Sequence, residues 1–342
     1  MTSPFVRFLA GLAAGVAGTL AVLGGLVEGI GRLAPERLPP PPLSNRIDFD
    51  EKLHWLRERP GLSPGVLAVG SSITLQHFDG SAFGVPGHVL NGATWGVQLH
   101  QTRYLADWYV DRYPTVRHVI VFLGLADFRD CRTTPATFFN TDHADAYLDG
   151  AWPVPLYAKY FAPGDLIGNA LTIAGDRLST EGLLRDEYGT QPRTLPVDRF
   201  ERKGLFYGHI DPDPACFPVL SALARDLHGA GRSLTIAIPP VNPAYLAQVS
   251  GADQSFMTLR KGIKDAVAGT GTRVFDLTDA APPASEYYDA FHMRFPAARV
   301  LSRSIALSRV SVHGVGGISL IARGGACPTP GGDREVAIGQ VG

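Results

Sequence analysis

The segment Val66-Leu67-Ala68-Val69-Gly70-Ser71-Ser72-Ile73-Thr74 runs four apolar residues straight into Gly-Ser-Ser. An unbroken apolar run stopped by a turn residue reads as a strand buried on both faces, as in a parallel sheet. Gly70 lets the backbone turn sharply, which leaves Ser71 and Ser72 at the carboxyl end of a core strand. Open α/β sheets bind their ligands at that end. A serine held there becomes a nucleophile only beside a base, and the base needs an orienting carboxylate. The candidate pair lies far downstream, in Asp289-Ala290-Phe291-His292.

Outward from this strand the pattern alternates. His88-Val89-Leu90-Asn91 reads as a second strand, His118 to Leu123 as a third, Leu234 to Ile238 as a fourth and Arg273 to Leu277 as a fifth. Helices are expected over 97–111, 214–229 and 254–268, between those strands. Strands alternating with helices predict a parallel five-stranded sheet in a three-layer α/β/α sandwich. Residues 128–212 break the rhythm with Pro, Tyr, Asp and Gly. A stretch that long is expected to form an inserted subdomain rather than a bare loop.

The amino-terminal side differs in kind. Phe8 to Val27 holds no charged residue, and about 20 apolar residues suffice for a membrane-spanning helix. A cleaved signal peptide would be shorter and end in an Ala-x-Ala site; none follows Val27. Residues 1–37 therefore read as an uncleaved membrane anchor. Arg7 before the span and Arg32 and Arg37 after it leave the orientation nearly balanced. In the 38–63 linker, Pro39 to Pro42 predict a stiff polyproline spacer holding the domain off the membrane, and 48–59 a short amphipathic helix. Beyond 308 the chain turns to Gly, Pro and small residues, which predicts a flexible tail over 309–342.

The chain has 342 residues, 45% hydrophobic and 18% charged, with a net charge of -1. A core is affordable at that length, and the absence of a basic stripe argues against nucleic acid as a partner. Cys131, Cys216 and Cys327 show no CxxC spacing, so no metal site is expected. Cys131 and Cys216 could form a disulfide in an oxidising compartment or stand as separate buried thiols. His77, His100 and His209 have no partner visible in sequence. No G-x-x-x-x-G-K-[ST] or G-x-G-x-x-G motif occupies the Gly70 turn, which argues against a nucleotide-binding domain.

Four segments now stand in order: Gly70-Ser71-Ser72-Ile73-Thr74, Asn91-Gly92-Ala93-Thr94-Trp95-Gly96, Gly124-Leu125-Ala126-Asp127 and Asp289-Ala290-Phe291-His292. Together they resemble the SGNH (GDSL-like) hydrolase superfamily over residues 64–308. The resemblance implies a flavodoxin-like sheet, Ser72 as nucleophile, His292 as general base and Asp289 as its orienting acid, with no cofactor. It implies oxyanion donors at Ser72, Gly96 and position 126. Position 126 is alanine where the family carries asparagine, and position 71 is serine where aspartate is commonest. Gly-Ser-Ser variants resemble membrane-anchored bacterial members that handle O-acyl groups on cell-surface polymers. The implied protein is an esterase or O-acyltransferase acting on O-acylated carbohydrate or cell-envelope glycan, anchored in a bacterial inner membrane with its catalytic domain extracytoplasmic. Ala126 leaves a second expectation open: a non-catalytic domain of this type that binds glycan or a membrane partner.

Overall fold

The computed structural model describes residues 3–34, 38–160, 168, 171, 185–192, 207–280 and 282–310. Its centre is a sheet of five parallel strands: β1 Val66–Ala68, β2 Val89–Asn91, β3 His118–Phe122, β4 Ser233–Ile238 and β5 Arg273–Asp276. The order is β2-β1-β3-β4-β5, with Leu67 in register with Leu90 on one side and Val119 on the other. This is the flavodoxin-like order, and the strands occur where the apolar runs placed them. Leu67, Ala68, Leu90 and Val119 through Phe122 are buried, as strands covered on both faces require. β5 is only half buried along its length, as an edge position dictates.

The helices of the described residues are α1 Pro4–Leu33, which stands away from the sheet, and α2 Ile47–Arg57, α3 Ser72–His77, α4 Leu99–Arg112, α5 Thr141–Leu148, α6 Val154–Lys159, α7 Cys216–Gly229, α8 Pro243–Gln248, α9 Ala252–Ala266 and α10 Phe295–Val310. Val69 lies past the end of β1, and Gly70 turns the chain at φ +149 into α3. A Cβ at Gly70 would stand 2.4 Å from Thr74 Oγ1. That hydroxyl is already committed: it donates to the Phe122 carbonyl at 3.1 Å and accepts from the Phe122 N–H at 3.0 Å. Thr74 thereby stitches α3 to β3, and only glycine fits beneath it.

α1 is long and apolar enough to cross a membrane. Its large apolar side chains stand exposed from Phe5 to Val22 and again at Leu26, Ile30 and Leu33, while Val27 is buried against Val154 and Tyr157 of α6. The proline run is not a free spacer. Pro39, Pro40 and Pro41 are buried, and the Tyr157 hydroxyl donates to the Pro39 carbonyl. Proline content sets the local backbone, but packing against Tyr157 decides where the run lies.

Within 128–212 the described residues form α5, α6 and a strap, 185–192. Tyr188 accepts from the Asn91 N–H at 2.7 Å through its carbonyl, so the strap lies along the edge of β2. Cys131 and Cys216 form a disulfide, which joins the start of this region to α7. Residues 309 and 310 still belong to α10. The tail over 311–342, with Cys327, lies outside the described residues, as do 161–167, 172–184 and 193–206 of the insertion.

Candidate active site

Ser71 and Ser72 divide two tasks. Ser71 is the N-cap of α3, accepting the Ile73 N–H at 3.2 Å, the usual duty of a serine there. Ser72 is the first helical residue, so its own N–H has no acceptor within the helix. Its hydroxyl is free for other use and meets His292 Nε2 at 2.7 Å.

His292 arrives from a tight turn. Tyr287 and Met293 form an antiparallel bridge, and the Tyr288 N–H donates to the His292 carbonyl at 2.8 Å. Asp289 folds back inside this turn. Its Oδ2 lies 2.7 Å from His292 Nδ1, while Oδ1 accepts the N–H groups of Phe291 and His292 at 2.8 and 2.9 Å. Burial pushes the Asp289 carboxyl up, but the His292 charge and these hydrogen bonds outweigh it and bring it down to about 2. The carboxylate is therefore ionised across the physiological range and favours the tautomer with hydrogen on Nδ1. Nε2 is then left as an acceptor aimed at the Ser72 hydroxyl. Ser72 is 9% exposed and His292 3%, so the relay sits at the floor of the site rather than on the surface.

Three groups that sequence alone left unassigned hold this turn. Asn242, after β4, donates through Nδ2 to the Asp289 carbonyl at 3.0 Å, and its N–H donates to the Ala290 carbonyl at 3.0 Å. His77, at the end of α3, accepts the Met293 N–H at 2.9 Å through Nε2. Its ring lies 6.4 Å from that of His292. Burial first, and then the neighbouring His292, push its pKa down to about 3, so it stays a neutral acceptor across the physiological range. Ser302 of α10 donates to the His77 carbonyl at 2.8 Å. The third is Trp95, whose ring lies 5.8 Å from His292 and whose indole N–H donates to Gln191 Oε1 at 2.6 Å. The strap thus reaches the site. His77 had no partner visible in sequence, and neither Asn242 nor Gln191 carried a signal there.

The remaining predicted positions fall on the two neighbouring strand ends. Gly96 follows β2 and is exposed, with φ +61. Its loop is fixed by Thr94, whose N–H donates to the Gly70 carbonyl at 3.0 Å, and by Asp48 Oδ2, which accepts the Trp95 N–H at 2.8 Å. Ala126 lies in the 3-10 turn Leu125–Phe128 after β3 and offers no side-chain donor. Its neighbour Asp127 is buried, and Oδ2 accepts the Gly124 N–H at 2.7 Å. Burial raises this carboxyl to about 6, against the pull of the Gly124 amide, the Ser71 hydroxyl and His292. Asp127 is thus a brace for the turn. His209 meets Asp211 at 3.0 Å on the surface and takes no part in the hydrogen bonds of this relay. Among the described residues no group of three or more His, Cys, Asp or Glu stands together as a metal site.

No protein-family model matches the chain, and no curated protein matches it. Among solved structures it is similar to one from Agrobacterium tumefaciens described as a "putative arylesterase", at 13% identity and a TM-score of 0.35, covering 73% of this chain and 99% of that one. That likeness is too distant to bear on the chemistry of the site.

Proposed function

We propose that this chain is a serine-dependent esterase or O-acyltransferase of the SGNH type, acting on an O-acylated carbohydrate of the cell envelope. The observation that carries the reading is the hydrogen-bonded series Ser72–His292–Asp289, with both links at 2.7 Å, beyond the carboxyl end of β1. Ser72 Oγ attacks the acyl carbonyl while its proton passes to His292 Nε2. The tetrahedral intermediate collapses, and the departing alcohol takes that proton. Water or a sugar hydroxyl then gives its own proton to His292 and takes the acyl group, and Ser72 Oγ recovers that proton from His292 as it leaves. Backbone N–H groups of Ser72 and Gly96 serve as oxyanion donors. The third family donor is missing at Ala126, and losing one donor typically costs about 10²–10³ in rate.

The disulfide between Cys131 and Cys216 supports an oxidising compartment. With α1 as a membrane anchor, this favours a single-pass protein of a bacterial inner membrane with its catalytic domain on the extracytoplasmic side. Ala126 favours one competing reading, a glycan-binding domain without turnover.

A fluorophosphonate probe separates the two. Covalent labelling at Ser72, lost in Ser72→Ala with the fold retained, and acetate release from acetylated glycans are expected. An unlabelled, folded wild-type protein would overturn the catalytic reading in favour of binding alone.

A further inference from the structure

The loops after β2 and β3 lie on either side of the β1 end that carries Ser72, and each is associated with an arginine that makes no ion pair among the described residues. Arg46 precedes α2. Its Nη2 donates to the Gly96 carbonyl at 2.8 Å, and Nη1 stands 2.6 Å from where a Cβ on Gly96 would be. The guanidinium is therefore pressed against the exposed glycine, and its Nε is enclosed without an acceptor. The same segment supplies Asp48, which holds Thr94 and Trp95, and Trp95 faces His292. One short loop thus links Arg46 to the imidazole.

Some partly buried arginines meet carboxylates, as Arg112 with Asp145, Arg260 with Asp276 and Arg299 with Asp79, and others meet backbone carbonyls, as Arg57 and Arg232 do. Arg46 is of the second kind and makes no ion pair among the described residues, but its carbonyl partner is that of Gly96, beside the Ser72 site. Arg129 ends the 3-10 turn three residues after Ala126; it is exposed and likewise makes no ion pair among the described residues. An arginine held in place by a backbone carbonyl, with no carboxylate of the described residues in ion-pair contact, is suited to an oxyanion, and two of them raise the local concentration of anionic ligands.

We propose that Arg46, with Arg129, forms an anion-reading rim, so that the substrate carries a carboxylate or phosphate beside its acyl ester. This rests on the acyl-transfer reading of the Ser72 site and names the charge of its substrate.

The test uses the full chain in detergent and inhibition of 4-nitrophenyl acetate turnover by glucuronate and by inorganic phosphate, with glucose as the uncharged control. Competitive inhibition by an anion and none by glucose is expected. The inhibition constant should rise about tenfold or more in Arg46→Met, the scale of a charge-assisted hydrogen bond. Arg46→Lys, which keeps the charge but not the fork, should fall between. Arg129→Met should show a smaller rise. Whichever anion binds more tightly identifies the substrate's group. An unchanged inhibition constant in Arg46→Met, or equal inhibition by glucose, overturns the proposal and leaves Arg46 as a positioning residue for the Gly96 peptide. Absence of turnover in the wild type would sink the acyl-transfer reading alone. Anion binding is then followed by tryptophan fluorescence, to which Trp95 contributes. A saturable change lost in Arg46→Met sustains the rim, and no such change removes it.

Discussion

Asp289→Asn tests the relay at its most constrained point. In the wild type Oδ1 is occupied by two backbone N–H groups, and Oδ2 alone faces His292 Nδ1. An asparagine can keep its oxygen on those two N–H groups, and its NH2 then faces Nδ1. Two donors cannot share that contact, so the ring proton moves to Nε2, where it blocks acceptance of the Ser72 proton. The alternative is to flip the amide. That sets NH2 against the two backbone donors and strands both, at roughly 1–3 kcal/mol each. The flip is too costly, and the wrong tautomer is trapped. In a serine relay this exchange lowers kcat by about 10⁴, equivalent to ~5.5 kcal/mol of transition-state stabilisation. Steady-state hydrolysis of 4-nitrophenyl acetate measures it, with a thermal melt to show that the turn still folds. The loss should appear in kcat rather than KM, because the carboxylate acts on a proton in flight and not on bound substrate. A folded Asp289→Asn protein retaining more than about a tenth of wild-type kcat would refute the reasoning.

Ala126→Asn should raise kcat on a small acetyl ester at least about tenfold by restoring a donor, and the gain should vanish on adding Ser72→Ala; kinetics of the single and double variants decide it. Replacing Cys131 and Cys216 by alanine opens a loop of sequence separation 85, and urea melts should show a loss of about 2–4 kcal/mol. Asp127 has a folded pKa of about 6 against an ordinary 3.8. The folded state therefore binds its proton more tightly, and stability falls as pH rises through that window, reaching a cost of about 3 kcal/mol above it. Asp127→Asn should gain on the wild type between pH 4.5 and pH 7.5; urea melts giving a pH-independent difference would contradict this.

The sheet was legible because its strands are apolar runs punctuated by glycine and proline, and burial on both faces leaves no other use for Val66–Val69 or His118–Leu123. Ser72, His292 and Asp289 were legible through resemblance and order, and the tight turn then accounts for their geometry. The strap was not legible. Asp186 to Thr190 is polar and without periodicity, and it is held by backbone bonds such as that from Asn91 to Tyr188. Lys52 misled in the same way. On a helix read as amphipathic it is fully buried, its ammonium donating to the carbonyls of Asn91 and Gly189 at 2.6 Å each. Those acceptors are backbone atoms distant in sequence, and no side-chain pattern announces them. His77 and Asn242 act on backbone atoms too, which is why neither had a visible partner.

The junction between α1 and α6 has a consequence for reach. From Pro4 to Gly24 the helix rises about 31 Å, close to the roughly 30 Å hydrocarbon thickness of a bilayer. A Cβ on Gly24 would already stand 3.4 Å from Val154. In a bilayer the domain would therefore have no leash. It would ride flush against the headgroups, with Trp152, 60% exposed beside that junction, at the depth where tryptophan prefers to lie. So held, the Ser72 site would work at one fixed altitude above the lipid, and under the proposed function the polymer would have to come down to it.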